Sequence, residues 1–192
     1  MAEILILYYS RNGHVASMAQ LIAKGAAQVT DCQVTIRTVP EIGQNPQEIP
    51  DEGHLFCSKD DLRRCDALAL GSPTRFGNMA APLKAFIDTT SDVWISGTMI
   101  GKPACVFTAS SSLHGGQETT LLSMMLPLFH HGMLLLGLPY SESSLMDTDA
   151  GGTPYGASIF AGPSNDREIT PIESSLCSAL GKRLAETGLK LI

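Results

Sequence analysis

The alternation of short apolar runs with segments of helical periodicity is the feature that most constrains this chain. Five apolar runs have the length of a strand: "ILILYY" (4–9), "QVTIRT" (33–38), "DALALG" (66–71), "ACVFT" (104–108) and "MLLLGL" (133–138). Apolar stripes at helical spacing begin at Met18, Met79 and Ile172. Alternating strands and helices predict an α/β fold, a doubly wound sheet of five parallel strands with helices on both faces.

The character of each apolar run predicts its place in the sheet. Four runs are nearly continuous in apolar residues, as strands buried on both faces should be. The run at 33–38 alternates instead, which favours an edge strand and the order 2-1-3-4-5. Two polar, turn-rich stretches, 41–60 and 140–170, are predicted to be excursions from this frame. We find no linker, so residues 1–192 are predicted to form a single domain.

Composition and charge limit the kinds of binding partner and the cellular location that we expect for this chain. The formal net charge of −6 and a pI near 5.3 argue against nucleic-acid binding. No apolar stretch is long enough for a membrane span, and no signal peptide is evident. The five cysteines contain no Cys-x-x-Cys pair and indicate reduced thiols. We therefore expect a cytoplasmic protein.

A ligand is expected beyond the carboxyl ends of the strands, where the strand order switches. The turns there are Ser10–Val15 and Gly71–Asn78, with Ala109–Glu118 beside them. In the first turn, polar side chains and a glycine precede a helix N-terminus, an arrangement that attracts an anion. Because the P-loop lysine is absent, one phosphate is favoured over a triphosphate. The alternative is an ordinary helix N-cap by Ser10 or Asn12.

The other candidate residues are compatible with several kinds of site. Thr74 with Arg75 or Phe76 would suit a flat, hydrogen-bonding ring beside a phosphate. The serines at 110–112 lack the Gly-x-Ser-x-Gly pattern of a hydrolase. His130 and His131 are adjacent rather than four residues apart, so no metal is expected. One of these histidines could donate to a ligand, or it could simply be a satisfied residue at a helix end.

Several motifs together resemble one known family. "LYYSRNGH", "GSPTRFGNM", "GGQETT", "HHGM" and "GGTPYGA" are similar, in one register over roughly 4–162, to the WrbA-type FMN-dependent NAD(P)H:quinone oxidoreductases of the flavodoxin-like fold. The resemblance implies FMN as cofactor and NADH or NADPH as co-substrate. It also implies two-electron, ping-pong reduction of quinones to hydroquinones by a homotetramer with active sites near subunit interfaces.

Site residues follow from the same resemblance, position by position. His130 would lie near the redox face as the catalytic residue, and Trp94 and Asn12 would bind substrate, with Trp94 reaching the pocket of a neighbouring subunit. FMN contacts are implied for Ser10, Arg11, Asn12, Gly13, His14, Val15, Pro73, Thr74, Arg75, Phe76, Gly77, Ala109, Ser110, Ser111, Ser112, Leu113, His114, Gly115 and His130.

Two departures from the family pattern leave details open. Asn12 stands where the family often has an aromatic residue, so the preference between NADH and NADPH is not implied. The loop at 109–115 is one residue longer than the family's, with Leu113 and His114 in place of glycines. Two alternative functions also remain, namely a flavodoxin-like carrier of single electrons and an FMN-binding regulatory or interaction protein.

Overall fold

A parallel β-sheet forms the centre of the computed structural model, which describes residues 1–50 and 52–192. Residue 51, in the predicted 41–60 excursion, lies outside the described residues. The strands are β1 (Ala2–Tyr8), β2 (Cys32–Thr38), β3 (Ala67–Pro73), β4 (Pro103–Ser110), β5 (Leu134–Leu135) and β6 (Ala157–Phe160). Their order is β2-β1-β3-β4-β5, with β6 also paired to β4, and every pairing is parallel. The predicted order 2-1-3-4-5 is confirmed.

Helices cover both faces of this sheet. They are α1 (His14–Ala26), α2 (Lys59–Arg64), α3 (Ala81–Asp88), α4 (Ser91–Ile95), α5 (Gln117–His130), α6 (Ser144–Asp147) and α7 (Pro171–Leu191). The predicted apolar stripes fall on α1, α3 and α7, although the second begins two residues before α3. Within the described residues, no helix combines the length and the apolar character that crossing a membrane requires.

Side-chain alternation along β1 divides the core into two layers. Ile4 and Ile6 face α1 and α7, whereas Leu5 and Leu7 face the layer that contains α3 and α5. At the edge of the sheet, the residues of β2 are only partly buried, as its alternating sequence predicted. All eight residues of β4 are buried, because this strand lies inside the sheet and under both helical layers.

The fifth strand position differs from the prediction. Of the run 133–138, only Leu134–Leu135 pairs with β4. The chain then leaves the sheet at Gly137, where a Cβ atom would lie 2.1 Å from the Pro154 carbonyl oxygen. The carboxyl half of β4 pairs instead with β6, which comes from within the predicted 140–170 excursion. Two short strands in series therefore occupy the place predicted for one.

A fully buried carboxylate joins this returning segment to the last described helix. Oε1 of Glu173 accepts hydrogen bonds from the backbone N–H groups of Gly151 (2.9 Å) and Phe160 (2.8 Å). Oε2 accepts from the backbone N–H of Thr170 at 2.9 Å and completes a capping box at the start of α7. One side chain thus secures both ends of the segment 151–160 and the first turn of α7.

Replacement of Glu173 by alanine should be strongly destabilising. Three backbone N–H groups, that of Gly151 buried and those of Phe160 and Thr170 partly buried, would lose their acceptor, and a charge-assisted hydrogen bond is worth about 1.5–3 kcal/mol. We expect the free energy of unfolding to fall by about 3 kcal/mol, measured by chemical denaturation. Glu186→Ala, at an exposed position on the same helix, is the control and should change stability by less than about 0.5 kcal/mol. Equal stabilities of the two variants would contradict this role of Glu173.

A partly buried histidine at the end of α5 gives the fold a pH dependence. Nε2 of His131 lies 3.0 Å from Oγ1 of Thr90, whose hydroxyl also lies 2.7 Å from the carbonyl oxygen of Ile87 and donates to it. The Thr90 oxygen must therefore accept from His131. Nδ1 of His131 is buried and has no hydrogen-bond partner in the described chain. Burial, with a smaller contribution from His130, lowers the pKa of His131.

This lowered pKa predicts that stability decreases as the pH falls. The folded chain resists protonation of His131, whereas the unfolded chain takes up the proton near pH 6.5, so acid favours unfolding. Between pH 7 and pH 5.5, the unfolding free energy of His131→Gln should depend less steeply on pH than that of the wild type. His54→Gln should also flatten the slope, because burial and then Arg37 lower the pKa of His54. An unchanged slope in His131→Gln would be inconsistent with a neutral His131.

Candidate functional site

The turns after β1, β3 and β4 meet at the carboxyl edge of the sheet and enclose a narrow polar cleft of about 40 Å³. No acidic residue occurs among its described lining residues, whereas two arginines do, so the cleft suits an anion. Eleven of the predicted site residues line it: Ser10, Arg11, Asn12, His14, Val15, Pro73, Thr74, Arg75, Ala109, Ser110 and Ser111.

The first turn presents an uncapped helix N-terminus. Gly13 occupies the N-cap position of α1 with φ = 87°, and no described side chain caps the helix. This excludes the simple N-cap by Ser10 or Asn12 that the sequence left open. The Ser10 hydroxyl is buried without a hydrogen-bond partner in the described residues. Free backbone N–H groups and an orphaned hydroxyl in one place indicate that a ligand supplies the missing partner.

The segment after β2 packs beside this turn and places a carboxylate next to it. Oε1 of Glu41 accepts a hydrogen bond from the Tyr9 hydroxyl at 2.8 Å and lies 3.5 Å from Nη1 of Arg11. The neighbouring Tyr8 hydroxyl lies 3.0 Å from Nδ1 of His54. These contacts attach the predicted 41–60 excursion to the end of β1 and orient the Arg11 side chain.

An exposed aromatic ring stands in the second turn. Phe76 has φ = 53° and is completely exposed, and Gly77 follows with φ = 76°. A bulky side chain in this backbone region is unusual, and an apolar ring in water has no packing to stabilise it. Thr74, by contrast, is fixed, because its Oγ1 accepts a hydrogen bond from the Thr120 hydroxyl at 2.7 Å. Phe76 is therefore not a core residue but a ring held at the edge of the site.

A buried amide that the sequence analysis missed supports the third turn. Nε2 of Gln117 donates to Oγ of Ser110 at 2.9 Å, and that hydroxyl donates to the backbone carbonyl of Ser112 at 2.8 Å. The turn is therefore fixed at its base and exposed at its tip. The other predicted residues of this turn, Ser112, Leu113, His114 and Gly115, lie outside the cleft lining.

A fourth segment, which the sequence did not predict, forms a further wall of the cleft beside the three turns. Ala161 and Asn165 line the cleft and belong to the turn that follows β6. Because β6 runs parallel to β4, with Phe160 opposite Ser110, both strands end at the same edge of the sheet. The available signal was the short apolar segment 157–160, which lies within a polar stretch that we interpreted as an excursion.

Two predicted residues lie far from the cleft within one chain. α5 begins at Gln117 beside the carboxyl end of β4, and its 14 residues carry it about 20 Å toward the amino end. His130 ends this helix, and Trp94 donates its indole N–H to the His130 carbonyl oxygen at 2.8 Å. The structure therefore brings Trp94 and His130 to each other but to neither Ser10 nor Thr74 of the same chain.

Comparisons with known proteins agree with this architecture. A family model described as NADPH-dependent FMN reductase matches residues 3–143. A curated protein of Geotalea daltonii, named NAD(P)H dehydrogenase (quinone), is 39% identical over 99% of this chain and 98% of its own length. A protein of the same name from Syntrophobacter fumaroxidans is 41% identical over 98% of each chain.

Solved structures share the fold at lower identity. A flavodoxin, WrbA-like protein from Agrobacterium tumefaciens superimposes over 100% of both chains with a TM-score of 0.74 and 24% identity. An archaeal flavodoxin gives a TM-score of 0.65 over 97% of this chain and 99% of its own, at 19% identity. The fold is therefore flavodoxin-like. From the family-model match and the full-length relatives, we conclude that the chain belongs to the NADPH-dependent FMN reductase family.

Proposed function

We propose that this chain is an FMN-dependent NAD(P)H:quinone oxidoreductase. The Ser10–Val15 turn is the observation that carries the proposal, since uncapped N–H groups and the orphaned Ser10 hydroxyl are what a flavin phosphate requires. The nicotinamide nucleotide and the quinone follow from the names of the two curated relatives. All five cysteines are unpaired, which supports a place in the reducing cytoplasm.

The residues of the cleft fit FMN in a particular orientation. The backbone N–H groups after Gly13 and the hydroxyl of Ser10 would hold the phosphate, and the charges of Arg11 and Arg75 would favour it. The small volume of the cleft suits a phosphate group and not a three-ring system. The isoalloxazine ring would therefore lie at the mouth, beside Phe76 and the exposed 111–115 turn, where the chain already holds an aromatic ring in solvent.

The protein's part in the reaction is to bind the cofactor, to orient it toward the substrates and to tune its reactivity. The chemistry that FMN would supply when bound is acceptance of a hydride from the nicotinamide nucleotide and two-electron reduction of a quinone. The backbone N–H groups of the 111–115 turn would stabilise negative charge that develops on the ring. A single open edge would admit the nucleotide and the quinone in turn, and we therefore propose ping-pong kinetics. No general base is needed, because the quinone oxygens take up protons, which water or His130 of a neighbouring copy can supply.

Transient kinetics would test this function directly. NADH or NADPH should rapidly bleach the visible absorbance of the FMN-loaded protein, and benzoquinone added afterwards should restore it as fast. Parallel lines in double-reciprocal plots would support the ping-pong order. If neither nucleotide bleached the flavin while dithionite did, the carrier of single electrons would replace the enzyme as the best interpretation.

We further propose a homotetramer in which a second copy completes each site. Trp94 and His130 are exposed and lie at the opposite end of the sheet from the cleft, so they can border a flavin only if it belongs to another copy. An apolar surface surrounds them, and it would be covered in such an assembly. Its members are Ile95, Ile100, Leu122, Leu126 and Phe129, each between 43% and 77% exposed.

Complementation between two inactive variants tests the shared site. Gly13→Val should abolish FMN binding, because a β-branched residue is strained at φ = 87°. The double variant Trp94→Ala/His130→Ala should bind FMN but reduce quinones poorly. If each site takes its parts from two copies, co-expression of the variants should restore about a quarter of the sites.

The controls for this test are the two separately expressed variants and a wild-type mixture with each of them. The composition of the mixed oligomers is checked by native mass spectrometry. Mixed oligomers without recovered activity would contradict a site shared between copies.

A further inference from the structure

The turn that forms the unpredicted wall is held rigidly against the cleft. The backbone N–H of Ala161 donates to the Ser110 carbonyl at 2.8 Å, and that of Arg167 donates back to Ala161 at 3.1 Å. Nε2 of His14 lies 3.4 Å from the Arg167 carbonyl, which can only accept, so His14 donates to it. The turn 161–167 is thereby attached to both β4 and the first turn of α1.

Asn165 is the residue of this turn whose side chain has unused hydrogen-bonding capacity at the cleft. Its Oδ1 accepts from the hydroxyl of Ser111 at 3.2 Å, which fixes the side-chain amide in the wall. The amide nitrogen carries two N–H groups, and neither is bonded to a described residue. The hydroxyl of Ser10, in the same cleft, is also without a partner.

Charge and geometry define what these donors can bind. Two side chains with free donors, Asn165 and Ser10, line one small cleft beside the uncapped N-terminus of α1. Arg11 and Arg75 are the charged members of its described lining. A phosphate oxygen is an acceptor with the charge this arrangement favours.

We propose that Asn165 is an FMN-binding residue, whose side-chain amide donates a hydrogen bond to the phosphate of the cofactor. The inference rests on the proposed function in that FMN is the ligand, and it adds a contact from a segment outside the three turns of a flavodoxin-like site. Ser111 acts here as a positioning residue, because its hydroxyl occupies the amide oxygen in the lining of the cleft and leaves the amide nitrogen free to donate.

The proposal is tested by measuring the affinity of the apoprotein for FMN and for riboflavin, with quenching of flavin fluorescence as the signal. The comparison shows whether Asn165 contacts the phosphate, which only FMN carries. Asn165→Gly removes the amide but suits the backbone, since φ is 55° at this position. FMN affinity should fall about tenfold, while riboflavin, which has no phosphate, should bind within about twofold of the wild type. Asn165→Asp places a negative charge at the same point and should weaken FMN binding about a hundredfold, again with little effect on riboflavin.

Controls keep this proposal distinct from the proposed function. Ser164→Gly, an exposed position in the same turn, should change neither affinity, and the thermal stability of each apoprotein shows whether the fold is intact. FMN affinities of both Asn165 variants within twofold of the wild type would overturn the proposal. Equal losses for FMN and riboflavin would also overturn it, because they would exclude a contact to the phosphate. Failure of the wild type to bind FMN would instead refute the proposed function.

Discussion

The hydrogen-bonding requirement of β4 governs how the rest of the chain is arranged. All eight residues of this strand are buried, so its N–H and C=O groups must find partners on both sides. β3 supplies one side, but β5 supplies only two residues on the other. The chain must therefore return to the sheet after its excursion, and it does so as β6. Because β6 is parallel to β4, the return delivers a fourth segment to the edge where the cleft lies.

The sequence predicted those parts of the fold that depend on local pattern. Continuous apolar runs identified the inner strands, and the alternation at 33–38 identified the edge strand β2. This was possible because the burial of each face of a strand determines which of its residues are apolar. The split fifth position was not predictable in this way. The run 133–138 looks like a strand throughout, and only its packing at Gly137 against the Pro154 carbonyl shows where it leaves the sheet. β6 has four residues in a polar context, and only its pairing with β4 makes it a strand.

The residues of the candidate site also fall into those that local sequence pattern predicts and those that it does not. Ser10 and Thr74 follow strands and Ser110 ends one, so topology alone brings their turns together, and all three residues line the cleft. Trp94 and His130 were assigned by resemblance, and a single chain separates them from the cleft by the length of α5. The periodicity of apolar residues predicts helices and strands within one chain, but it does not predict which residues of two copies lie close together. In the proposed homotetramer, the exposed ring of Phe76 and the exposed face around Trp94 would be the features that link the cleft to a second copy.

The buried carboxylate of Glu173 has a consequence for the time at which the protein becomes able to hold its cofactor. Residues 161–167 precede α7, yet the strand that positions them, β6, is secured by a side chain in the first turn of that helix. During synthesis, the first three turns of the cleft leave the ribosome long before Glu173 does, and domains generally fold as units. A nascent chain therefore has a cleft that is open on one side until α7 has docked, so that firm retention of the flavin is expected only after translation of α7.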